Sequence, residues 1–197
     1  MKETCKGQRI SPVRLLIAKV SRLIVMIAAI AGASGAANVH AQSASLREYQ
    51  IKAAFLYNFV KFVEWPAEAL PPPSVTMNVC VLGDDPFGVA LDSIEGKTVK
   101  GRILEVKRFK TVQALEPCHV LFISSSEKKR LARIVETLKG SSVLTVGEMD
   151  RFAERGGIIN LIITKNRVRF EINEGAAERA GLKISSKLLK LAEVVRD

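Results

Sequence analysis

Three short apolar runs most constrain the fold. They are Val75–Leu82 (VTMNVCVL), His119–Ser124 (HVLFIS) and Val143–Val146 (VLTV). Each is too short for a buried helix and rich in β-branched residues, so each reads as a strand covered on both faces. Between them lie stretches with turn residues and helical spacing. Asp85 and Pro86 start one after Gly83, and Gly96 ends it. Lys128–Lys139 carries Leu131, Ile134, Val135 and Leu138 on one face and stops at Gly140. Ile103–Phe109 (ILEVKRF) alternates apolar and polar residues as a half-buried strand does. Buried strands that alternate with helices make a parallel sheet with helices on both faces.

The order predicted is one helix, then five strands separated by four helical segments. Leu46–Val63 is the leading helix, with Ser45 and Glu48 in capping-box spacing and Trp65-Pro66 at its end. Its apolar residues fill a wide arc: Tyr49, Ala53, Leu56, Val60 and Val63 in one row, Ile51, Phe55, Phe59 and Phe62 in another. Such an arc means deep burial or a second contact surface, as in a dimer. The fold expected is α/β, with a flavodoxin-like, mostly parallel sheet of about five strands in the order 2-1-3-4-5. Ile158–Thr164 and Val168–Ile172 flank a short turn at Lys165-Asn166-Arg167, which adds an antiparallel hairpin strand at the C-terminal end. Asn173 then caps a short helix that stops at Gly181, and Ser185 caps a final helix over Ser186–Val195.

Residues 1–41 read differently. Lys2, Lys6, Arg9, Arg14, Lys19 and Arg22 precede the apolar run Leu23–Ala37, and Val39-His40-Ala41 supplies small residues for cleavage. This is the pattern of a secretory signal peptide cleaved after Ala41, followed by one domain over residues 42–197. An uncleaved anchor is the alternative, but the run of about 15 residues is short against the roughly 20 that a span needs. The whole chain carries +10; without residues 1–41 it has 24 basic and 19 acidic residues, interspersed. That balance describes a solvated surface and argues against a nucleic-acid partner. Cys80 and Cys118 are the two cysteines after residue 41. In an oxidising compartment an even pair suggests a disulfide, with two buried thiols as the alternative.

No catalytic constellation emerges. Asp84-Asp85 resembles the acidic pair of phosphoacceptor domains, but the third strand ends in Ser124-Ser125-Ser126 where such a domain needs its acceptor aspartate. Ser125-Ser126-Glu127-Lys128 fits a serine–lysine pattern without its companion motifs. His119 has no second histidine after residue 41 and no ligand-spaced cysteines, so no metal and no cofactor are implied. The residues that invite a binding role are in the C-terminal stretch. Arg167, Arg169, Glu171 and Asn173 alternate along one strand, and Arg179, Lys183, Ser185 and Lys187 follow closely.

Residues 48–66 (EYQIKAAFLYNFVKFVEWP), 80–88 (CVLGDDPFG), 118–124 (CHVLFIS), 152–157 (FAERGG), the VRFEIN segment and 180–192 (AGLKISSKLLKLA) resemble the YfiR family of periplasmic regulators. The resemblance runs in order through nearly all of residues 42–197. It implies a non-enzymatic periplasmic protein that binds the periplasmic sensor domain of an inner-membrane diguanylate cyclase, or of a sensor kinase, and represses cyclic di-GMP signalling. It also implies homodimers, an outer-membrane lipoprotein that sequesters the regulator, and a small ligand near the C-terminal segment. Cys80 and Cys118 match the family's disulfide between the first and third strands. Glu171, Asn173 and Arg179 match polar positions of its functional surface, and Lys183 and Ser185 stand where the family's best-known member has arginine and histidine. The readings of a different class are a periplasmic small-molecule-binding protein without a fixed partner and, more remotely, a hydrolase using Ser125 or Ser126 with Lys128.

Overall fold

A computed structural model of the chain describes residues 44–70 and 76–195. The expected signal peptide lies outside the described residues, and so do Pro71–Pro73, three consecutive prolines that read as a stiff linker.

Helix α1 (residues 44–62) leads into strand β1 (Val63–Glu64), and then come β2 (Thr76–Leu82), β3 (Thr98–Val99) and β4 (Arg102–Phe109). Next are β5 (Val120–Ile123), α2 (Leu131–Thr137), β6 (Leu144–Gly147), β7 (Ile159–Thr164) and β8 (Arg167–Asn173). The chain ends in α3 (Glu174–Arg179), β9 (Lys183–Ile184), α4 (Ser186–Leu189) and β10 (Glu193–Val195). The main sheet has eight strands in the order β10-β8-β7-β6-β5-β2-β4-β3. Its parallel core, β4-β2-β5-β6-β7, is the 2-1-3-4-5 order that the alternating pattern predicts. The antiparallel β7–β8 hairpin turns at Lys165 and Asn166, both at positive φ, with Thr164 opposite Arg167. Two residues at positive φ give the turn whose twist matches the flanking strands.

The period-two pleat divides the core into two layers. Val79, Val81, Val120, Phe122, Leu144 and Val146 face α1 and pack with Ala53, Leu56, Phe59 and Val60. Cys80, Leu82, Leu121 and Ile123 face the other way, against Leu131, Ile134 and Phe152. Phe59 and Phe55 meet Phe170 edge to face, which ties α1 to the hairpin. Both arcs of α1 are therefore mostly spent on the core. Ile51, about half exposed, is the exception.

The structure corrects several expectations about the helices. The crossover after β2 is a 3-10 run, Gly88–Ser93, introduced by the Asp85 carboxylate, which accepts from Phe87 N–H at 2.8 Å. The one before β5 is the single helical turn that the sequence suggests over Val112–Leu115, in 3-10 form at Val112–Ala114. Ser45 lies inside α1 and does not cap it, and Glu48 reaches forward to Lys52. The final helix stops at Leu189. Glu193–Val195 is a strand that pairs in parallel with Glu171–Asn173 of β8. Without β10 that half of β8 would be an open edge, and pairing supplies partners for backbone groups that a longer helix would leave unmet. Leu189 and Ala192 are half-buried as a result, not core.

Candidate functional site

The C-terminal stretch is held by its own caps. Asn173 ends β8 and is fully buried (0% exposed). Its Oδ1 accepts from Ala176 N–H at 2.6 Å at the start of α3, and its Nδ2 donates to the Ala153 carbonyl at 2.8 Å. Gly181, at φ +70°, turns the chain out of α3, and Leu182 buries beneath it. Strand β9 then pairs antiparallel with β1, which places Lys183 opposite Glu64, and Ser185 N–H donates to the Phe62 carbonyl. Ser185 Oγ accepts from Leu188 N–H at 3.3 Å and caps α4.

The five residues that the sequence singles out are not gathered into one patch. Asn173 is inside the molecule and positions α3; the alternation that turns Glu171 outward does not turn Asn173 outward. Ser185 is spent on a helix cap. Arg179 and Lys183 are exposed. Arg179 lies at an apolar groove of about 340 Å³ between α2 and α3, lined by Val135, Leu138, Val143, Ile158 and Ala176. Glu171 belongs to a different cleft, of about 430 Å³, with Lys52, Glu148 and Asn160. The two clefts have no lining residue in common.

The Glu171 cleft contains residues that motif reading does not reveal. Lys52, 4% exposed, pairs with both Glu48 and Glu148. Tyr49 Oη donates to Glu148 Oε1 at 3.0 Å, and the Lys52 ammonium sits 4.5 Å from the Tyr49 ring centroid. Burial, and then the Glu148 carboxylate beside it, push the Tyr49 phenol above its ordinary pKa. Asn160 Nδ2 donates to Glu171 Oε2 at 3.2 Å. The Glu48–Lys52 pair has helical i,i+4 spacing and is visible in the sequence. The approach of Glu148 and Asn160 is tertiary, and no local signal announces it.

The remaining polar candidates serve the scaffold. Cys80 and Cys118 form a disulfide, with Cα atoms 6.0 Å apart. His119 Nδ1 accepts from Asn78 N–H at 2.9 Å. Burial lowers its pKa, more than the Ala69 carbonyl raises it. Ligands of doubly wound folds often bind at the switch point, here between the ends of β2 and β5. In this chain Ser126 Oγ accepts from Asp84 N–H at 3.0 Å and donates to Ser124 Oγ at 3.2 Å. A Cβ at Gly83 would lie 2.5 Å from that hydroxyl, so the gap between the two loops is filled. Ser124 caps the turn that follows, and buried Glu127 pairs with Arg130. Among the described residues no group of three or more acidic, histidine or cysteine side chains is placed to hold a metal ion.

The YfiR/HmsC-like family profile matches residues 49–193, which spans α1 to the start of β10. Two solved structures are similar at low identity. One is a conserved domain protein from Vibrio cholerae O1 biovar El Tor, with a TM-score of 0.46 and 16% identity. The other is an ABC domain in complex with L-Trp from Streptococcus pneumonia, with a TM-score of 0.45 and 12% identity. Each alignment covers 66% of this chain and 57% of the other.

Proposed function

The chain belongs to the YfiR/HmsC-like family, and from that premise we propose that it is a non-enzymatic periplasmic regulator of cyclic di-GMP signalling. It binds the periplasmic sensor domain of an inner-membrane diguanylate cyclase, or of a related sensor kinase, and holds the cyclase inactive. Residues 1–41 direct export, and residues 42–197 form the single regulatory domain. The observation that carries this reading is the extent of the family match, which takes in the sheet and the C-terminal belt up to the start of β10.

The contact surface is the exposed part of that belt. Arg179, at the end of α3, and Lys183, on β9, present cations on a segment held from below by Asn173 and from behind by Ser185. Glu171 supplies a carboxylate on the neighbouring cleft. Release by an outer-membrane lipoprotein, and a homodimer, complete the scheme. Repression follows from differential affinity: the regulator shifts the sensor toward whichever state it binds more tightly.

The test is capture of candidate periplasmic sensor domains by the purified protein. Saturable capture that Arg179→Glu and Lys183→Glu weaken, with unchanged thermal unfolding, supports the proposal. If no sensor domain is retained, or both reversals leave capture intact, the surface is wrong. A second reading is a small-molecule-binding protein without a fixed partner. The apolar groove beside Arg179, about 340 Å³ in volume, favours it. Ligand binding there without capture of any sensor domain would establish that alternative.

A further inference from the structure

The cleft beside α1 is lined mostly by charged and polar side chains. It opens at the carboxyl end of β6, where β7 runs on past its neighbour, and open α/β sheets bind ligands at the carboxyl ends of their strands. Glu148, Met149 and Asp150 follow β6 directly, and Asn160–Ile163 belong to β7. Five carboxylates line it, against the cations of Lys52 and Arg151 alone. Lys52 is held by Glu48 and Glu148, and Arg151 by Glu154. Among the described residues no ion pair holds Glu171, and Asp150 has only the adjacent Arg151, which is already paired with Glu154.

Acidic residues alone would be a solvated surface. The observation that points further is Asn160. It is 3% exposed and lines the cleft, and its Oδ1 has no hydrogen-bond partner among the described residues. Its Nδ2 is already committed to Glu171. A buried acceptor without a donor is destabilising, and such groups are rare in folded proteins. The neighbouring hydroxyl offers no remedy, because Tyr49 donates to Glu148. The cleft therefore has acceptors and negative charge to spare but lacks donors. Ile162 and Met149 add an apolar wall.

We propose that this cleft binds an organic cation, a primary ammonium or guanidinium head on a short apolar stem. The head donates to Asn160 Oδ1 and Glu171, Asp150 adds counter-charge, and the stem lies along Ile162, which shares the Asn160 face of β7. The head can come from a free diamine or from a lysine or arginine side chain of a partner. The site stands apart from Arg179 and Lys183 and shares only Glu171 with the contact surface proposed above, so Asp150→Asn and Asn160→Ala test it independently of that surface.

The experiment is calorimetric titration of the purified full chain at low salt. The titrants are 1,5-diaminopentane, the peptide acetyl-Gly-Arg-Gly-amide and, as an uncharged comparison, 1-pentanol. Binding of the diamine identifies a free amine as the source, and binding of the peptide alone identifies a partner's side chain. In either case Asp150→Asn and Glu171→Gln should each weaken binding about tenfold, the worth of one hydrogen bond to a charged group. Asn160→Ala should weaken it by at least as much. Should Asn160→Ala fail to fold, the Asp150 substitution, on an exposed residue, decides. The proposal is overturned if neither cation binds, if 1-pentanol binds equally well, or if Asp150→Asn and Glu171→Gln bind like the native chain.

Discussion

Replacing Lys52 by methionine tests how α1 is fixed to the end of the sheet. The ammonium is buried between Glu48 and Glu148, whose side chains are 37% and 10% exposed. Methionine keeps the apolar stem and removes the charge. Glu48 can then turn to water, so its loss is minor. Glu148 cannot, and one buried carboxylate is left without its cation. Breaking a buried pair in this way costs roughly 3–5 kcal/mol. Glu148 retains the Tyr49 hydroxyl at 3.0 Å, which places the expected loss near the low end, about 3 kcal/mol. Urea unfolding gives the value from the shift of the midpoint at unchanged m. The orphaned carboxylate has a second consequence. Glu148→Gln in the Lys52→Met background removes the orphaned charge, so the double variant should be more stable than Lys52→Met alone. Strictly additive losses, or a Lys52→Met change within about 0.5 kcal/mol, the range of an ordinary surface substitution, would refute the reasoning.

Other outcomes follow from the same structure. Reducing the Cys80–Cys118 bridge, which closes a separation of 38 residues, should cost about 4 kcal/mol in the chain-entropy account, read as a lower urea midpoint with reductant present. Asn173→Ala removes a helix cap and a buried hydrogen bond together and should cost about 2 kcal/mol or more, whereas Ser185→Ala, at a half-buried cap, should cost about 1 kcal/mol. His119 should make the protein acid-sensitive. Burial lowers its pKa from the ordinary 6.5, so the folded state binds the proton less readily than the unfolded chain. The stability it contributes is complete above the unfolded pKa and is lost as the pH falls through 6.5 toward the folded value; His119→Gln should flatten that limb of a stability–pH curve.

The parallel core was legible because its strands are long enough to show a pattern. VTMNVCVL and HVLFIS are apolar on both faces, and the order 2-1-3-4-5 follows from their alternation with helical segments. Strands β1, β9 and β10, of two or three residues, carry no periodicity. They form because a neighbouring edge is available, which is a tertiary fact. Val194 and Val195 hint at the last of them through β-propensity, yet the helical spacing of Leu188, Leu189 and Ala192 argues the other way. Two sequence signals compete at Asn173. Alternation along β8 puts it with Arg167, Arg169 and Glu171, while its place before EGAAER makes it a cap. The cap prevails because α3 folds back over the strand end and buries the side chain. Lys52 looks like an exposed exception on an apolar helix until Glu148 is brought beside it. Asn160, in the middle of an apolar strand, gives no hint that one of its amide groups lacks a partner.

The central claim is that this chain represses a membrane sensor by favouring its inactive state. The most direct measurement is the rate of cyclic di-GMP synthesis by the cognate full-length diguanylate cyclase in membranes, with increasing amounts of the purified protein on the periplasmic side. The account predicts a saturable fall in synthesis that Arg179→Glu shifts to higher protein concentration. An unchanged rate at saturating protein, with the cyclase shown to be active, would contradict it.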